Sequence, residues 1–273
     1  MADAIQTNNA FPNIRIDADE VIWAGDENIG FHTSHRTQIY VTNSGCSRYG
    51  APTGRRVQFW CMANCVARDN EISHEHVVYD SVALLEQLGF DAVETAKRIA
   101  AAGTESLLPP NFMASDAKRQ TGQSKPPSTP IPARIDEDPA AFVHAALHTI
   151  WNRRNLAAIQ QVYSQNILVQ ATAGRAYHGT GQLQSFVLSM LAMFPDLNFT
   201  VDGIYWMGNA AEGYLLAIRW SIVGSHTGYG RYGAPTGKEV HIWGITHWVV
   251  DKNMIQIEGF MFNEFGVLIQ LHR

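Results

Sequence analysis

No apolar stretch in this sequence approaches the ~20 residues that a membrane-crossing helix requires. The polar start Met1-Ala2-Asp3-Ala4 lacks the basic and apolar regions of a secretory signal. Basic residues are scarce too: 20 Lys and Arg stand against 25 Asp and Glu, giving a net charge of −5, and no Lys/Arg run occurs. That balance argues against nucleic acid or an anionic membrane as the main partner. Cysteine is limited to Cys46, Cys61 and Cys65, an odd number with two in one apolar strand. They read as reduced core residues of a cytoplasmic protein, not as a disulfide or metal framework. No Gly-x-Ser-x-Gly occurs, so a nucleophilic hydrolase is not expected, and His144 and His148 share a helix face without the Glu of the zinc-binding His-Glu-x-x-His motif, so they read as core or surface residues. Two look-alikes also fail. Gly228-Tyr229-Gly230-Arg231-Tyr232-Gly233 is followed by Pro235 where a phosphate-binding helix would have to start, and Gly233 to Lys238 is one residue short of a P-loop.

What the sequence does contain is an internal repeat. Arg48-Tyr49-Gly50-Ala51-Pro52-Thr53-Gly54 returns letter for letter as Arg231-Tyr232-Gly233-Ala234-Pro235-Thr236-Gly237. One displacement of 183 positions (11 to 194, 88 to 271) superimposes residues 11–88 on 194–271 without a gap. It carries Asp19 onto Asp202, Trp23 onto Trp206, Arg36 onto Arg219, Trp60 onto Trp243 and Glu75 onto Glu258. Roughly a third of the aligned positions are identical, several times what average residue usage would give. A period this long means two copies of a small domain, not a solenoid.

Upstream of the second copy the pattern is helical. Asp138-Pro139 is an N-cap with Pro in the first turn, and Phe142, Ala145, Ala146 and Ile150 follow at helical spacing. A second helix is expected from Asn155 through Leu156, Ile159 and Tyr163, then a short strand over 167–171, then a helix over 181–194 closed by Pro195. Strands are predicted over 197–207, 213–223, 240–250 and 254–262, with a tight turn at Asp251-Lys252-Asn253. The layout is α+β, a strongly curved antiparallel sheet preceded by helices. The first copy has the strands alone: 183 positions before the helical segment lies ahead of Met1. Either an amino-terminal portion has been lost, or the bare face is covered by the other copy, a second subunit or the helix over 91–102 that stops at Gly103. The expected division is a partial domain over 1–102, a Pro/Ser-rich linker over 103–137 and a complete domain over 138–273.

Residues 152–163, Phe194-Pro195-Asp196-Leu197, the strand with Arg219, Gly224-Ser225-His226-Thr227-Gly228, Ala234 to Lys238, Glu258 and Leu268-Ile269-Gln270-Leu271 together resemble the SnoaL-like polyketide cyclases. That family belongs to the nuclear transport factor two-like superfamily. The resemblance implies a cone of helices and bent sheet around an apolar pocket, in which a cofactor-free aldol closure or isomerisation of a small carbonyl compound is run by acid/base groups. It also implies an Asp just before the terminal Leu-x-x-Gln-Leu and a His on the preceding strand. The first copy holds Asp80 with Asn64; the second holds His247 with Asn263. Neither has both.

The candidate catalytic residues are therefore Asp80, His247 and His226, and the candidate substrate-binding residues are Trp206, Trp220, Trp243, Trp248, Phe260, Arg219 and Asn263. Each has a plain alternative. Asp80 can be the N-cap of a helix over 81–88, His247 can pair with Glu258 across the last hairpin, and His226 can cap its turn. Arg219, like Arg36, can sit in an ion pair or hold an anion. His74 and His76 share a strand face, and a metal site there needs a third ligand. Three functions stay open: an acid/base enzyme without cofactor, a limonene-type epoxide hydrolase needing an Arg between two carboxylates, and a non-catalytic ligand-binding or assembly protein. The expected partner is a small apolar substrate or ligand, with a homo-oligomer or an intramolecular pseudo-dimer as the assembly.

Overall fold

The computed structural model describes residues 7–28, 30–69, 71–103 and 130–273. The predicted linker lies largely outside these. The first sheet is an antiparallel meander of β1 (Arg15–Asp26), β2 (Gly30–Thr42), β3 (Arg56–Arg68) and β4 (Glu71–Tyr79). It leads into α1 (Ser81–Leu88) and α2 (Ala92–Ala102). Asp91 caps α2 by accepting the Glu94 N–H, and Gly103 closes it in the left-handed region at φ 68°.

The second part opens with α3 (Pro139–Leu147), where Asp138 accepts the Ala141 N–H and Pro139 occupies the first turn. A π turn (His148–Asn152) and a 3-10 turn (Leu156–Ala158) follow, then α4 (Ile159–Val162). The helix expected from Asn155 through Tyr163 is cut to these short turns. Tyr163 begins β5 (Tyr163–Ala171) instead, because that segment pairs in parallel with the last strand of the sheet, Leu168 against Ile257 and Val169 against Glu258. Then come β6 (Arg175–His178), α5 (Gly179–Met193), β7 (Asn198–Asn209), β8 (Gly213–Ser225), β9 (Glu239–Asp251), β10 (Met254–Phe262) and α6 (Glu264–His272). The second sheet runs β6-β5-β10-β9-β8-β7. Lys252 and Asn253 turn its last hairpin with φ of 49° and 63°.

The two sheets repeat each other in detail. β1 is bulged between Ala18 and Glu20, and β7 between Val201 and Gly203, at the corresponding residues. Val66 faces His74 and Ala67 faces Ile72; Val249 faces Ile257 and Val250 faces Ile255. Gln87 bonds both backbone groups of Gln58, and Gln270 does the same to His241. Identical hydrogen bonds at one displacement arise because the same turn and cap residues stand at the same spacing.

Pleating gives each strand two faces. On the second sheet the inner face and helices α3 and α5 bury Phe142, Ile150, Trp151, Phe186, Phe199, Trp220, Trp248 and Phe260 in the main core. The outer face packs against the first sheet, with Met62, Val78, Ile245 and Met261 in one cluster and Ile22, Tyr205 and Ala217 in another. Helices α1, α2 and α6 join the two parts through Leu85, Ala96, Ile99, Phe265 and Ile269. Of the cysteines, Cys61 and Cys65 are buried as expected, but Cys46 is exposed; it belongs to a turn and not to the core, and all three are free.

Candidate functional site

The inner face of the second sheet is the natural place for a pocket, and aromatic stacking fills it. Trp220 lies on Phe260 at 4.7 Å and on Phe199 at 5.0 Å between ring centroids. Trp151 stacks on the same two rings, at 5.9 Å from Phe260 and 5.5 Å from Phe199. The cavity left among Ile150, Trp151, Tyr163, Phe186, Glu258 and Phe260 is about 10 Å³, the room one water needs. Glu258 is the carboxyl group in its lining. Its carboxylate accepts the Trp248 indole N–H at 2.8 Å and the Tyr163 hydroxyl. Burial outweighs those bonds and pushes it up to about 7. A carboxyl that exchanges its proton near neutral pH inside an apolar cone has the character of a general acid or base.

Several predicted site residues lie elsewhere. Trp220, Trp248 and Phe260 do belong to the cone, and Trp206 packs half-buried against its core. Trp243, Arg219 and His247 do not: they alternate with Trp248 and Trp220 and so point through the outer face toward the first sheet. Trp243 meets His76 edge-on at 5.9 Å. Asn263 caps α6, accepting the Gly266 N–H at 2.9 Å. His226 is fully buried in the loop after β8, where Nδ1 accepts the Thr236 N–H at 3.3 Å and its ring lies against Phe194 at 5.5 Å. Asn43 holds the matching loop of the first sheet by accepting the Thr53 N–H at 2.9 Å. An imidazole doing what an amide does at the equivalent position is holding a turn.

Asp80 is also buried, and its carboxylate is occupied. It caps α1 through the Ala83 N–H at 3.3 Å and accepts the N–H groups of Ala173 and Gly174, in the β5–β6 turn, at 2.7 and 3.0 Å. Burial raises it above the usual carboxylate range, against the pull of those three donors. Asp80 is a latch between the two parts of the chain.

His247 does not reach Glu258. The bulge at Ile255/Ile257 sets Glu258 opposite Trp248 and Gly259 opposite His247, which places the two side chains on opposite faces. Across the sheet–sheet interface, His247 Nδ1 lies 3.0 Å from Glu20 and Nε2 2.7 Å from the Ser34 hydroxyl. Burial holds this imidazole below its ordinary range. We assign the neutral tautomer in which Nδ1–H donates to Glu20 and Nε2 accepts the Ser34 hydroxyl, whose single proton also has the Ala63 carbonyl as an acceptor at 3.0 Å; Glu20 stays ionised toward Arg36 at 3.1 Å. Arg36 also bonds Asp19 and Gln170. The order Ser–His–Glu has the distances of a hydrolase triad, yet Ser34 exposes none of its surface and sits in mid-strand. The Arg between two carboxylates that an epoxide hydrolase requires is likewise found here, at Arg36 and not at Arg219, between the sheets.

An open pocket lies on the inner face of the first sheet, where α1 and the turn before β1 cover only part of the strands. It has a volume near 350 Å³ and is lined mainly by Phe11, Ile16, Ile39, Val41, Phe59 and Leu84, with Ser47, Arg48, Tyr49 and Tyr79 as polar groups at its margin. Among the described residues, no carboxylate and no imidazole lines it. Sequence reasoning missed this pocket, although alternating Ile14, Ile16, Ile39 and Val41 signalled an apolar face.

Comparison with known proteins places one part of the chain. Residues 143–256 match the family described as SnoaL-like domain. No curated protein matches the chain. Among solved structures, IdmH from Streptomyces antibioticus, proposed to be a polyketide cyclase, is 22% identical, with 50% of this chain and 99% of that one covered and a TM-score of 0.43. AclR from Streptomyces galilaeus is 19% identical, covering 50% and 85%, with a TM-score of 0.43. A protein of ketosteroid isomerase-like fold from Catenulispora acidiphila, in complex with trimethylamine, is 16% identical, covering 47% and 90%, with a TM-score of 0.39. Residues 143–256 are a SnoaL-like domain.

Proposed function

We propose that this protein binds a small, largely apolar molecule without transforming it, in the open pocket of the first sheet. The observation that carries this reading is the contrast between the two inner faces. One retains about 10 Å³ and the other about 350 Å³, within the ordinary size of ligand sites. Among the described residues, the roomy pocket's lining has no carboxylate or imidazole, since Asp80 is turned into the latch with Ala173 and Gly174. On this reading residues 1–102 and 138–273 are two copies of one domain joined by a linker. The first copy acts as a covalent stand-in for a second subunit, its sheet covering the outer face of the other.

The test is fluorescence titration with the neutral dye Nile red. Ile16 is 59% exposed at the pocket mouth, so Ile16→Arg is expected to leave urea stability close to that of the parent. The expected result is saturable binding that weakens at least tenfold in this variant. Equal affinity for both proteins would overturn the assignment.

One observation favours a second reading. Glu258, pushed up to about 7 beside Tyr163, supports acid/base chemistry on a carbonyl compound if the aromatic stack opens. Solvent hydrogen exchange into an enolisable ketone, abolished by Glu258→Gln, is the outcome that reading requires.

A further inference from the structure

The interface between the sheets contains two sites related by the same displacement, and only one of them is complete. At the first, Asp19 and Glu20 flank Arg36, and the Glu20 carboxylate bridges the guanidinium at 3.1 Å and His247 at 3.0 Å. At the second, Asp202 stands for Asp19 and Arg219 for Arg36, but Gly203 stands for Glu20 and Asn64 for His247. One carboxylate and one imidazole are missing there.

The consequence is a hole, and a guanidinium with one carboxylate beside it where its counterpart has two. A cavity of about 370 Å³ opens there, lined by Gly203, Arg219, Asp202 and Asn64, with His32 and His76 among the other groups facing it. Arg36 is closely held on both sides, and its side chain is 8% exposed. Arg219 is 30% exposed and, among the described residues, its polar contacts are long, 3.9 Å to the Asp202 carboxylate and 3.4 Å to its carbonyl. A guanidinium offers five N–H donors in a fork matched to carboxylate oxygens. Arg219 thus keeps donor capacity on its terminal nitrogens toward the cavity, where both terminal nitrogens of its counterpart are engaged by Gln170, Asp19 and Glu20. Asp202 takes the place that Asp19 has beside Arg36, and also accepts the Ser221 hydroxyl at 3.2 Å, so the position left open is the one Glu20 fills at the first site.

We propose that this groove binds a small organic carboxylate, whose carboxyl group takes on Arg219 the place that the Glu20 side chain takes on Arg36. The body of the ligand lies toward His32 and His76. The site is separate from the apolar pocket of the first sheet and does not depend on it.

The test uses benzoate in isothermal titration calorimetry, with benzamide and inorganic phosphate as comparisons. One benzoate per chain is expected, with no benzamide or phosphate binding. Arg219→Gln should weaken benzoate at least tenfold. Gly203→Glu should do the same by supplying the missing carboxylate: a Cβ on Gly203 has the Arg219 guanidinium at 3.9 Å as its nearest neighbour, so the side chain has room. Ile16→Arg, at the other pocket, should leave benzoate unaffected. Wild-type affinity in Arg219→Gln, no benzoate binding at millimolar concentration, or phosphate bound in its place would each overturn the proposal. If Gly203→Glu fails to fold, Arg219→Gln decides alone.

Discussion

Replacing Asp80 by Asn separates two roles that the carboxylate performs at once. As a helix cap the amide is sufficient, for Asn263 holds the corresponding Gly266 N–H at 2.9 Å. As a latch it is not. Oδ1 accepts from Ala83 and Ala173, and an amide oxygen can keep both; Oδ2 accepts the Gly174 N–H at 3.0 Å, and an amide nitrogen there would set donor against donor. A buried donor left without a partner costs roughly 1 to 3 kcal/mol. Loss of the negative charge also weakens the two bonds that remain. Against this, Asn no longer buries a charge. The expected net loss for Asp80→Asn is about 2 kcal/mol, and for Asp80→Ala, which removes the cap and the latch, about twice that. Urea denaturation at pH 7 gives the total, and amide hydrogen exchange gives the location. Gly174 should lose protection in Asp80→Asn while Ala83 keeps it. An Asn variant within about 0.5 kcal/mol of the parent, with unchanged exchange at Gly174, would refute the latch.

Glu258 makes a prediction about pH. Its carboxyl titrates at about 7 in the folded chain against 4.5 for the ordinary group, so the native state holds a proton that the unfolded state has released. Stability therefore falls as pH rises from 4.5 through 7, by roughly 3 kcal/mol at ~1.4 kcal/mol for each pH unit. Glu258→Gln should remove that slope; urea midpoints at pH 5, 6 and 8 that run parallel in both proteins would contradict it. His247 is depressed by burial, which has the opposite sign: the folded state resists protonation, so stability is lost as pH falls below 6.5. His247→Asn should abolish that acid loss. At pH 8 it should cost roughly 1 to 3 kcal/mol, because Ser34 and Glu20 lose their buried partner. A variant as stable as the parent at pH 8 would mean that the Glu20–His247–Ser34 chain contributes nothing.

By itself the sequence determined whatever depends on near neighbours and on periodicity. The caps at Asp80, Asp91 and Asp138 act over three residues, and the turn at Lys252-Asn253 needs only its own backbone. The matched spacing of residues 11–88 and 194–271 foretold sheets with matched register. Part of the site was legible too and was misread: Trp220 and Arg219 are adjacent, and Trp243 and Trp248 are five apart, so a regular strand cannot aim either pair into one pocket. What only the tertiary structure decided concerns contacts between distant segments. The bulge at Ile255/Ile257 shifted Glu258 by one place and turned it inward, away from His247. The latch joins Asp80 to residues 93 and 94 positions away, and Ser34 meets His247 across 213. Whether a carboxylate becomes a base, a cap or a clamp depends on which donors and how much apolar surface surround it. Those surroundings exist only once two sheets have stacked, since no local rule of spacing specifies which face of one will meet which face of the other.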